Sequence, residues 1–346
     1  MKRRKTRTGL VAVLCLGLLL MMVLVAACGG DETTTTAGGG GTDTTAAESL
    51  GTLRVLISSP AVYPFYEVYV ADSLGFFQKR GLEVEILEVE GAEGTSTAFA
   101  AGQGDIMQGD VTTLNPSVLA QFTPIMFFNF MTSIFTIAVP EDSPIQSPAE
   151  LDGKVVGVNS EQDPGMSLIK TVELEYGVTI TPLITVEAAQ ALAGFDRGDI
   201  EAYATSLTGV ARIEAAGTPM RSILPQEMID ASGGFGYWAK RETMDAMPEA
   251  FKAYVEGLQE ARAYIGEDPQ KLVDWANSQT PIPAEELEFR KALSEAVISI
   301  RPNIEPAGYI DPAIWQLWWD TLIKNGTIDA SVGEPTDFYT NEFFDK

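Results

Sequence analysis

The chain has 346 residues, of which 48 are acidic and 23 are basic, so its formal net charge is −25, and it contains no histidine. The absence of histidine excludes Ser-His-Asp and Cys-His catalysis as well as histidine metal sites. The negative charge disfavours nucleic acids and anionic lipid surfaces as partners, and otherwise indicates high solubility.

The N-terminus has the pattern of an export signal. A basic cluster around Arg3 precedes an apolar run from Leu10 to Val25, and Ala26 and Ala27 precede Cys28. This order is typical of a secretory signal, and the cysteine after two small residues resembles a bacterial lipobox. We predict a signal peptide over residues 1–27 and lipidation of Cys28, which would anchor the protein on the periplasmic side of a membrane or on the outer cell surface. An ordinary cleaved signal or a transmembrane anchor is the alternative, although the apolar run of about 16 residues is short for a span.

The next segment has the composition of a flexible stalk. Residues 28–50 are mostly Gly, Thr, Asp, Glu and Ala, which cannot bury enough apolar surface to offset the entropy of ordering. Folded sequence is expected from Gly51, and the remaining length of about 295 residues suits two lobes better than one core. If Cys15 leaves with the signal and Cys28 carries lipid, no cysteine site remains. No phosphate-binding glycine motif occurs, and we predict no catalytic residue, cofactor or metal site.

Short apolar strands then alternate with helical stretches. This alternation predicts an α/β fold of two lobes with mainly parallel sheets, and the chain becomes mostly helical after about Ala239. The predicted elements are a strand at Leu53–Ile57, a helix carrying Val68, Val70, Ala71 and Leu74, a strand at Val84–Val89, and, from about Pro148, a strand at Val155–Val158 and a helix at Met166–Tyr176.

An internal echo links the two α/β blocks. Phe99–Ile106 leads to Thr112–Leu114, and Ala193–Ile200 leads to Thr205–Leu207, each as a helix, a glycine turn, a short strand and a hydroxyl-bearing loop. The glycine suits the left-handed end of a helix. The hydroxyls follow the carboxyl end of a strand, where open parallel sheets bind ligands. They are predicted either to contact a ligand or to cap the helices of two similar folding units.

Four loose motifs, in this order and spacing, resemble a known family. They are Pro64–Leu82, Ala101–Ile106, Ser147–Lys154 and Gly198–Ala202. The chain is similar to extracytoplasmic solute-binding proteins of ABC importers, in the nitrate, sulfonate and taurine group that includes binders of thiamine-pyrimidine precursors. The resemblance implies a type II periplasmic-binding-protein fold, monomeric, that closes on a small solute and delivers it to a permease with a cytoplasmic ATPase.

The resemblance also implies the lobe boundaries. Lobe one would comprise residues 51–138 and 238–346, and lobe two residues 139–237. Two crossings between the lobes are expected, near Ile137–Pro140 and near Gly233–Tyr237. Glycines absorb dihedral change on closure, although a glycine-rich turn is the plain alternative. The predicted hinge residues are Val139, Pro140, Gly233, Gly234 and Gly236.

The ligand cleft is expected at the loops that follow the strands. Lobe one would supply residues after its first three strands, and lobe two would supply residues after two of its own. The aromatic residues among them have core packing as an alternative. The predicted ligand-binding residues are Ser59, Pro60, Tyr63, Phe65, Glu90, Gly91, Asp110, Val111, Thr112, Asn159, Ser160, Glu161, Gln162, Thr205, Ser206, Tyr237 and Trp238.

The residue types at these loops bear on the ligand. An anion site would gain from Arg or Lys, but the predicted loops carry Asp110, Glu161, amides, hydroxyls and aromatics. This mixture favours a neutral or cationic solute with a flat ring, such as a heteroaromatic or amine-bearing molecule. Helix N-termini alone bind anions, so nitrate, sulfonate and taurine stay open.

Two other classes of function stay open. A secreted hydrolase would need two carboxylates about 5 to 10 Å apart, and Asp110 with Glu161 is the pair that the sequence offers. A structural or sensory surface lipoprotein is the second class. A pyrimidine-synthesising relative of this fold consumes its own histidine, which is absent here. Trp315, Trp318 and Trp319 share a helix face, and we expect them to pack within a lobe.

Overall fold

Two five-stranded sheets with the same strand order organise the chain. The computed structural model describes residues 48–59, 63–161, 163–185 and 187–345, so the predicted signal peptide, Cys28 and most of the predicted stalk lie outside the described residues. The strands are β1 (Gly51–Ser59), β2 (Leu82–Glu90), β3 (Ile106–Asp110), β4 (Ile125–Thr132), β5 (Phe135–Pro140), β6 (Val155–Val158), β7 (Thr181–Ile184), β8 (Ala202–Ser206), β9 (Met220–Ser222) and β10 (Gly234–Ala239).

Twelve α-helices are found in the described part of the chain. They are α1 (Tyr66–Ser73), α2 (Gly91–Ala100), α3 (Pro116–Leu119), α4 (Pro164–Tyr176), α5 (Ala188–Arg197), α6 (Leu207–Ala215), α7 (Gln226–Ala231), α8 (Arg241–Ala246), α9 (Pro248–Ile265), α10 (Pro269–Gln279), α11 (Leu287–Ser299) and α12 (Pro312–Lys324). None of these described helices has both the length and the apolar character needed to cross a membrane.

Each sheet is mixed and mainly parallel. The first sheet has the order β2-β1-β3-β10-β4, and the second has the order β7-β6-β8-β5-β9. In the first, β1 pairs in parallel with β2 and β3, while β10 is antiparallel to β3 and β4. In the second, β6 pairs in parallel with β7 and β8, while β5 is antiparallel to β8 and β9. The predicted two-lobed α/β fold is confirmed, and lobe one here means residues 48–132 and 234–345, whereas lobe two means residues 135–231.

The repeated sequence pattern forms the same helix–turn–strand unit in both lobes. The helix α2 is followed by β3, and α5 is followed by β8. Gly102 and Gly198 both adopt a positive φ, of 73° and 72°, where the helix gives way to the turn. The repeated glycine signal therefore marks the repeated helix–turn–strand unit correctly.

The crossings between the lobes differ from the predicted ones. The first lies at Ser133–Ile134, between β4 and β5, because β5 already belongs to the second sheet. Val139 and Pro140 are paired with Arg221 and Met220 inside that sheet, so their prediction as hinge residues is wrong. Pro140 ends its strand, where the missing N–H costs little pairing.

The return crossing lies at Ser232–Gly233, just before β10. Gly233 has φ of 115°, and a Cβ there would collide with Val111, so this position requires glycine. Gly234 begins β10, and Gly236 lies inside it, paired with both neighbouring strands. The prediction of Gly236 as a hinge residue is therefore wrong.

Helices cover both faces of the sheet in lobe one. On one face, α9 buries apolar residues at helical spacing, and the ring of Tyr254 stacks on Phe77 with centroids 5.2 Å apart. On the other face, Trp315, Trp318 and Trp319 of α12 are buried within the lobe, as predicted. The strand β10 is therefore buried along its whole length.

The lobes touch at several places, and one is the packing of α12 on α7, where the indole N–H of Trp318 donates to the carbonyl oxygen of Asp230 at 2.9 Å. On one side, α11 packs on α6, and Leu293 and Val297 meet Leu207 and Thr208 around a small apolar gap. On the other side, Asn325 Nδ2 in lobe one donates to Ser167 Oγ at 2.9 Å and to Thr171 Oγ1 at 3.2 Å in lobe two.

Candidate ligand-binding cleft

Asp110 ends β3 on the side of lobe one that faces lobe two. Its Oδ1 accepts hydrogen bonds from the backbone N–H of Thr112 at 2.7 Å and from the Thr112 hydroxyl at 2.5 Å. These bonds cap the short 3-10 turn Val111–Thr113 that follows the strand. The local sequence therefore fixes this carboxylate at a strand end, partly buried.

The environment of Asp110 disfavours its charge. Burial raises the pKa of this carboxyl to about 6, the bonds from Thr112 act in the opposite direction, and the charge of Asp163 raises the pKa further. Asp163 belongs to lobe two, so this last effect acts between the lobes.

Asp163 caps α4 at the end of the loop that follows β6. Its Oδ1 accepts from the N–H of Gly165 at 2.7 Å. A Cβ on Gly165 would lie 2.8 Å from this oxygen and 2.8 Å from the carbonyl oxygen of Ala204, so only glycine allows the close approach of the helix to β8. Burial raises the pKa of Asp163, and the bonds from Gly165 and Asn159 oppose that shift.

A chain of hydrogen bonds orients Asp163. Asn159 Nδ2 donates to Asp163 Oδ2 at 3.1 Å, and the hydroxyl of Tyr203 bonds to Asn159 Oδ1. Tyr203 lies on β8 and is buried. Burial raises the pKa of Tyr203, so its hydroxyl stays protonated and acts as the donor at neutral pH. The Asp163 carboxylate is therefore held in one orientation.

This part of the cleft has excess negative charge. Neither Asp110 nor Asp163 forms an ion pair with any described lysine or arginine, and no positive side chain is among the causes that shift their pKa values. Pro60, Ala61, Val62 and Gln162, which adjoin these loops in sequence and lie outside the described residues, carry no charge. A ligand with positive charge or several hydrogen-bond donors fits these groups best.

Several predicted site residues lie in or beside this carboxylate cluster. Asp110, Thr112 and Asn159 form its hydrogen bonds, as described above. Thr205 is buried on β8, and Ser206 caps α6 through its hydroxyl. Whether these residues contact a solute stays a prediction.

Other predicted residues are exposed, partly buried or outside the described residues. Glu90 and Gly91 join β2 to α2 and are exposed, as is Glu161. Ser160 is partly buried, and its carbonyl oxygen accepts from the N–H of Asp163 at 3.3 Å. Ser59 is the last residue of β1. Pro60 and Gln162 lie outside the described residues.

The two aromatic residues of β10 that were predicted to bind the ligand are buried in the core. Tyr237 and Trp238 are both 0% exposed, and the indole N–H of Trp238 donates to the carbonyl oxygen of Gly109 at 2.9 Å. Their prediction as ligand contacts is wrong, because β10 lies inside the sheet and helices cover both of its faces. The sequence pattern of two aromatic residues beside glycines does not show that β10 lies inside the sheet.

Tyr63, Phe65 and Val111 are also core residues. Phe65 packs edge-to-face on Phe130, with ring centroids 5.6 Å apart, and the guanidinium of Arg290 lies 5.3 Å from the Tyr63 ring. Val111 is 1% exposed and packs in the same cluster as Trp238. Their side chains are thus largely occupied by packing within lobe one, the alternative that the sequence left open for the aromatic residues.

Sequence reasoning missed two polar residues of the carboxylate cluster. They are Asp163 and Tyr203, which are joined through Asn159. Asp163 had a usable signal, since aspartate before proline is typical of a helix start. Tyr203 lies within a short buried strand, and nothing in its local pattern separates it from core residues.

Comparison with known proteins gives a family and a fold. The family described as NMT1/THI5 like matches residues 64–272. No curated protein matches the sequence. Among solved structures, the periplasmic aliphatic sulphonate binding protein SsuA from Escherichia coli has 17% identity and a TM-score of 0.64, over 80% of this chain and 87% of that chain.

Two further solved structures widen the comparison. The periplasmic nitrate-binding protein NrtA from Synechocystis PCC 6803 has 14% identity and a TM-score of 0.59, over 86% of this chain and 88% of that chain. The enzyme DszB, solved with biphenyl-2-sulfinic acid, has 15% identity and a TM-score of 0.56, over 85% of this chain and 97% of that chain. At such identities the likeness establishes a shared fold.

Proposed function

This chain belongs to the NMT1/THI5-like family, and from that premise we propose that it is the solute-binding subunit of an ABC importer. It would capture a small solute between its lobes and deliver it to a permease that works with a cytoplasmic ATPase. The observation that carries the proposal is the pair formed by Asp110, at the end of β3 in lobe one, and Asp163, at the start of α4 in lobe two, because the charge of Asp163 acts on Asp110. A solute bound to both would connect the two lobes.

The proposed solute is amine-bearing, with an aminopyrimidine precursor as one example. The uncompensated carboxylates of Asp110 and Asp163 support the amine, because ammonium and amidinium groups form charge-assisted hydrogen bonds with carboxylates. A sulfonate or nitrate at the same place would meet two like charges. Support for a flat ring is weaker than the sequence indicated, since Tyr237 and Trp238 belong to the core.

A panel of ligands tests both the role and the solute class. Thermal unfolding would be followed with aminopyrimidines, polyamines, flavins, taurine, alkanesulfonates and nitrate. A ligand at a thousandfold excess over its dissociation constant adds about 4 kcal/mol of stability, so a true solute stands clear of the others. We expect a hit among the amines. A hit only among sulfonates or nitrate would contradict the solute class, and no hit at all would contradict the binding role.

We propose that the protein binds its solute without converting it. The predicted hydrolase pair receives no support, because Glu161 is exposed while Asp110 is coupled to Asp163 instead. Mass spectrometry of the panel hit after prolonged incubation should show the compound unchanged. If it is consumed, and if Asp110→Asn stops the consumption without loss of affinity, the chain is an enzyme.

The proposed location is extracytoplasmic, with a lipid anchor on Cys28. The support for it is the sequence pattern of residues 1–28 and the family to which the chain belongs. We expect the expressed protein to enter the detergent phase on phase separation, and Cys28→Ala to remove it from that phase. Unchanged partitioning of the variant would rule out the anchor.

A further inference from the structure

The segment that follows α12 contacts α4 of the other lobe through uncharged side chains. Asn325 and Thr327 come directly after α12 in lobe one. Ser167 and Thr171 lie four residues apart in α4 of lobe two, so both are on one face of that helix. Asn325 and Thr171 are each 8% exposed. The contact is therefore buried, although it joins two lobes.

Asn325 divides its hydrogen bonds between the lobes. Its Oδ1 accepts from the backbone N–H of Thr327 at 3.1 Å and from the Thr327 hydroxyl at 2.7 Å, within lobe one. Because a backbone N–H can only donate, the amide oxygen must face Thr327, and the NH2 group is left for lobe two. Asn325 Nδ2 donates there to Ser167 Oγ at 2.9 Å and to Thr171 Oγ1 at 3.2 Å. Both amide hydrogens are thus used between the lobes.

The hydroxyl groups around Asn325 have fixed roles. Thr171 Oγ1 donates to the carbonyl oxygen of Ser167 at 3.0 Å, so its lone pairs are free to accept from Asn325. Ser167 Oγ lies 3.4 Å from Thr327 Oγ1 and must be the donor, since the Thr327 hydroxyl already donates to Asn325. The bonds from Asn325 to Ser167, to Thr327 and back to Asn325 form a closed ring with one direction. Such a buried ring strengthens each of its bonds.

The neighbouring contacts between the lobes restrain them less. Lys324 forms an ion pair with Glu175 beside the ring, but their side chains are 56% and 42% exposed, so the pair contributes little and weakens with salt. The packing of α11 on α6 is apolar and has no preferred direction. The bond from Trp318 to Asp230 lies two residues from the return crossing, where motion between the lobes is smallest.

We propose that this ring, together with Thr171, is a polar clasp that sets the relative position of the lobes and has to open whenever α4 moves away from lobe one. A hydrogen bond is lost beyond about 3.5 Å, so a shift of about 1 Å between the lobes at this place breaks the ring. The clasp is uncharged and buried, so salt leaves it intact. It goes beyond the proposed function, because it acts in the protein without a solute.

Distances between spin labels measure the position of the lobes directly. One label would be placed at Glu93→Cys in α2 and the other at Gln190→Cys in α5, both exposed positions on opposite lobes. Cys15 and Cys28 would be replaced by serine so that only these two sites react. Double electron–electron resonance without solute, at low salt and in 1 M NaCl (the Debye length is then about 3 Å), should give one distance distribution for the wild type.

An aspartate at position 325 breaks the half of the clasp that joins the lobes. Asn325→Asp keeps an oxygen that accepts from Thr327, but it has no hydrogen to donate to Ser167 or Thr171. We expect the ratio of displaced to wild-type distances to rise about tenfold, which is typical for the loss of one or two buried hydrogen bonds. Asn303→Asp makes the same change at an exposed position of lobe one, and should leave the distribution unchanged.

A second variant tests the clasp from lobe two without a change in charge. Thr171→Val keeps the shape of the side chain and removes the acceptor for Asn325, so it should displace the lobes in the same direction, with a smaller change in the ratio. It also carries the test if Asn325→Asp does not fold.

The clasp is overturned if Asn325→Asp and Thr171→Val both keep the wild-type distribution. It is also overturned if 1 M NaCl displaces the wild type as the variants are displaced, since the ion pair of Lys324 with Glu175 would then hold the lobes. A protein whose lobes respond to these variants but which binds nothing in the ligand panel would retain the clasp and lose the proposed function. A panel hit with unchanged distances in both variants would do the reverse.

Discussion

The buried charges of lobe one form an ion pair, whereas the charges of the cleft have no described partner of opposite charge. In lobe one, Arg262 Nη2 on α9 lies 3.0 Å from Glu67 Oε1 on α1 and 2.6 Å from the carbonyl oxygen of Phe130. In the cleft, Asp110 and Asp163 have donors but no described cation. The ion pair within lobe one holds α1 and α9 together. The carboxylates of the cleft have no cationic partner among the described residues, so they remain available to a ligand.

Removing the cation of the ion pair should have the largest effect. Arg262→Met leaves Glu67, which is 1% exposed, as an uncompensated buried charge. We expect this to lower the free energy of unfolding by about 3 to 5 kcal/mol, as measured by urea denaturation. The double variant with Glu67→Gln should recover part of the loss, since it removes the stranded charge. If Arg262→Met lowers the free energy of unfolding by less than about 1 kcal/mol, Arg262 and Glu67 do not form the buried ion pair described here.

Removing one of the two cleft carboxylates should change the free energy of unfolding in the opposite direction. The pKa of Asp110 is raised from 3.8 to about 6 in the folded protein, so ionised Asp110 costs stability above pH 6 and costs none well below pH 3.8. Asp110→Asn should therefore raise the free energy of unfolding by about 1 to 3 kcal/mol at pH 7.5.

The gain from Asp110→Asn should shrink as the pH falls from 7.5 through 6 toward 4. Urea unfolding at several pH values would follow this convergence, with Asp142→Asn as the charge-matched control. If Asp110→Asn destabilises the protein equally at every pH, its hydrogen bonds outweigh its charge.

Removing a hydrogen bond that orients Asp163 should have a smaller effect. Tyr203→Phe removes the hydroxyl that bonds to Asn159, and so frees the side chain that holds Asp163. We expect the affinity for the ligand found in the panel to fall about tenfold in titration calorimetry, which is typical for the loss of one buried hydrogen bond. Tyr176→Phe, at an exposed position in the same lobe, should leave the affinity unchanged. Equal affinities for both variants would remove Tyr203 from the site.

The smallest effect concerns a neutral contact between the lobes. Asn325→Ala removes the bonds to Ser167 and Thr171, and should lower the free energy of unfolding by about 0.5 to 1.5 kcal/mol. It should also speed amide hydrogen exchange near the start of α4. Exchange that rises equally in α9, within lobe one, would mean that the effect is not confined to the contact.

The sequence predicted the strand-end polar residues better than the aromatic ones. Asp110, Thr112 and Asn159 follow strands that the apolar pattern reveals, and all three belong to the carboxylate cluster. Tyr237 and Trp238 were misplaced, because the position of β10 inside the first sheet depends on a crossing from lobe two. The first crossing was misplaced for a related reason, since no local signal shows which sheet β5 joins.

By itself, the sequence determined the two α/β lobes, the repeated helix–glycine–strand unit and the excess of negative charge. These features follow from local rules, since apolar alternation forms strands and glycine adopts positive φ at Gly102 and Gly198. Only the tertiary structure decided that the charge of Asp163 acts on Asp110, that Glu67 meets Arg262, and that Trp238 is buried. Each of these depends on contacts between segments distant along the chain, where burial and through-space electrostatics, and not local pattern, set the free energy.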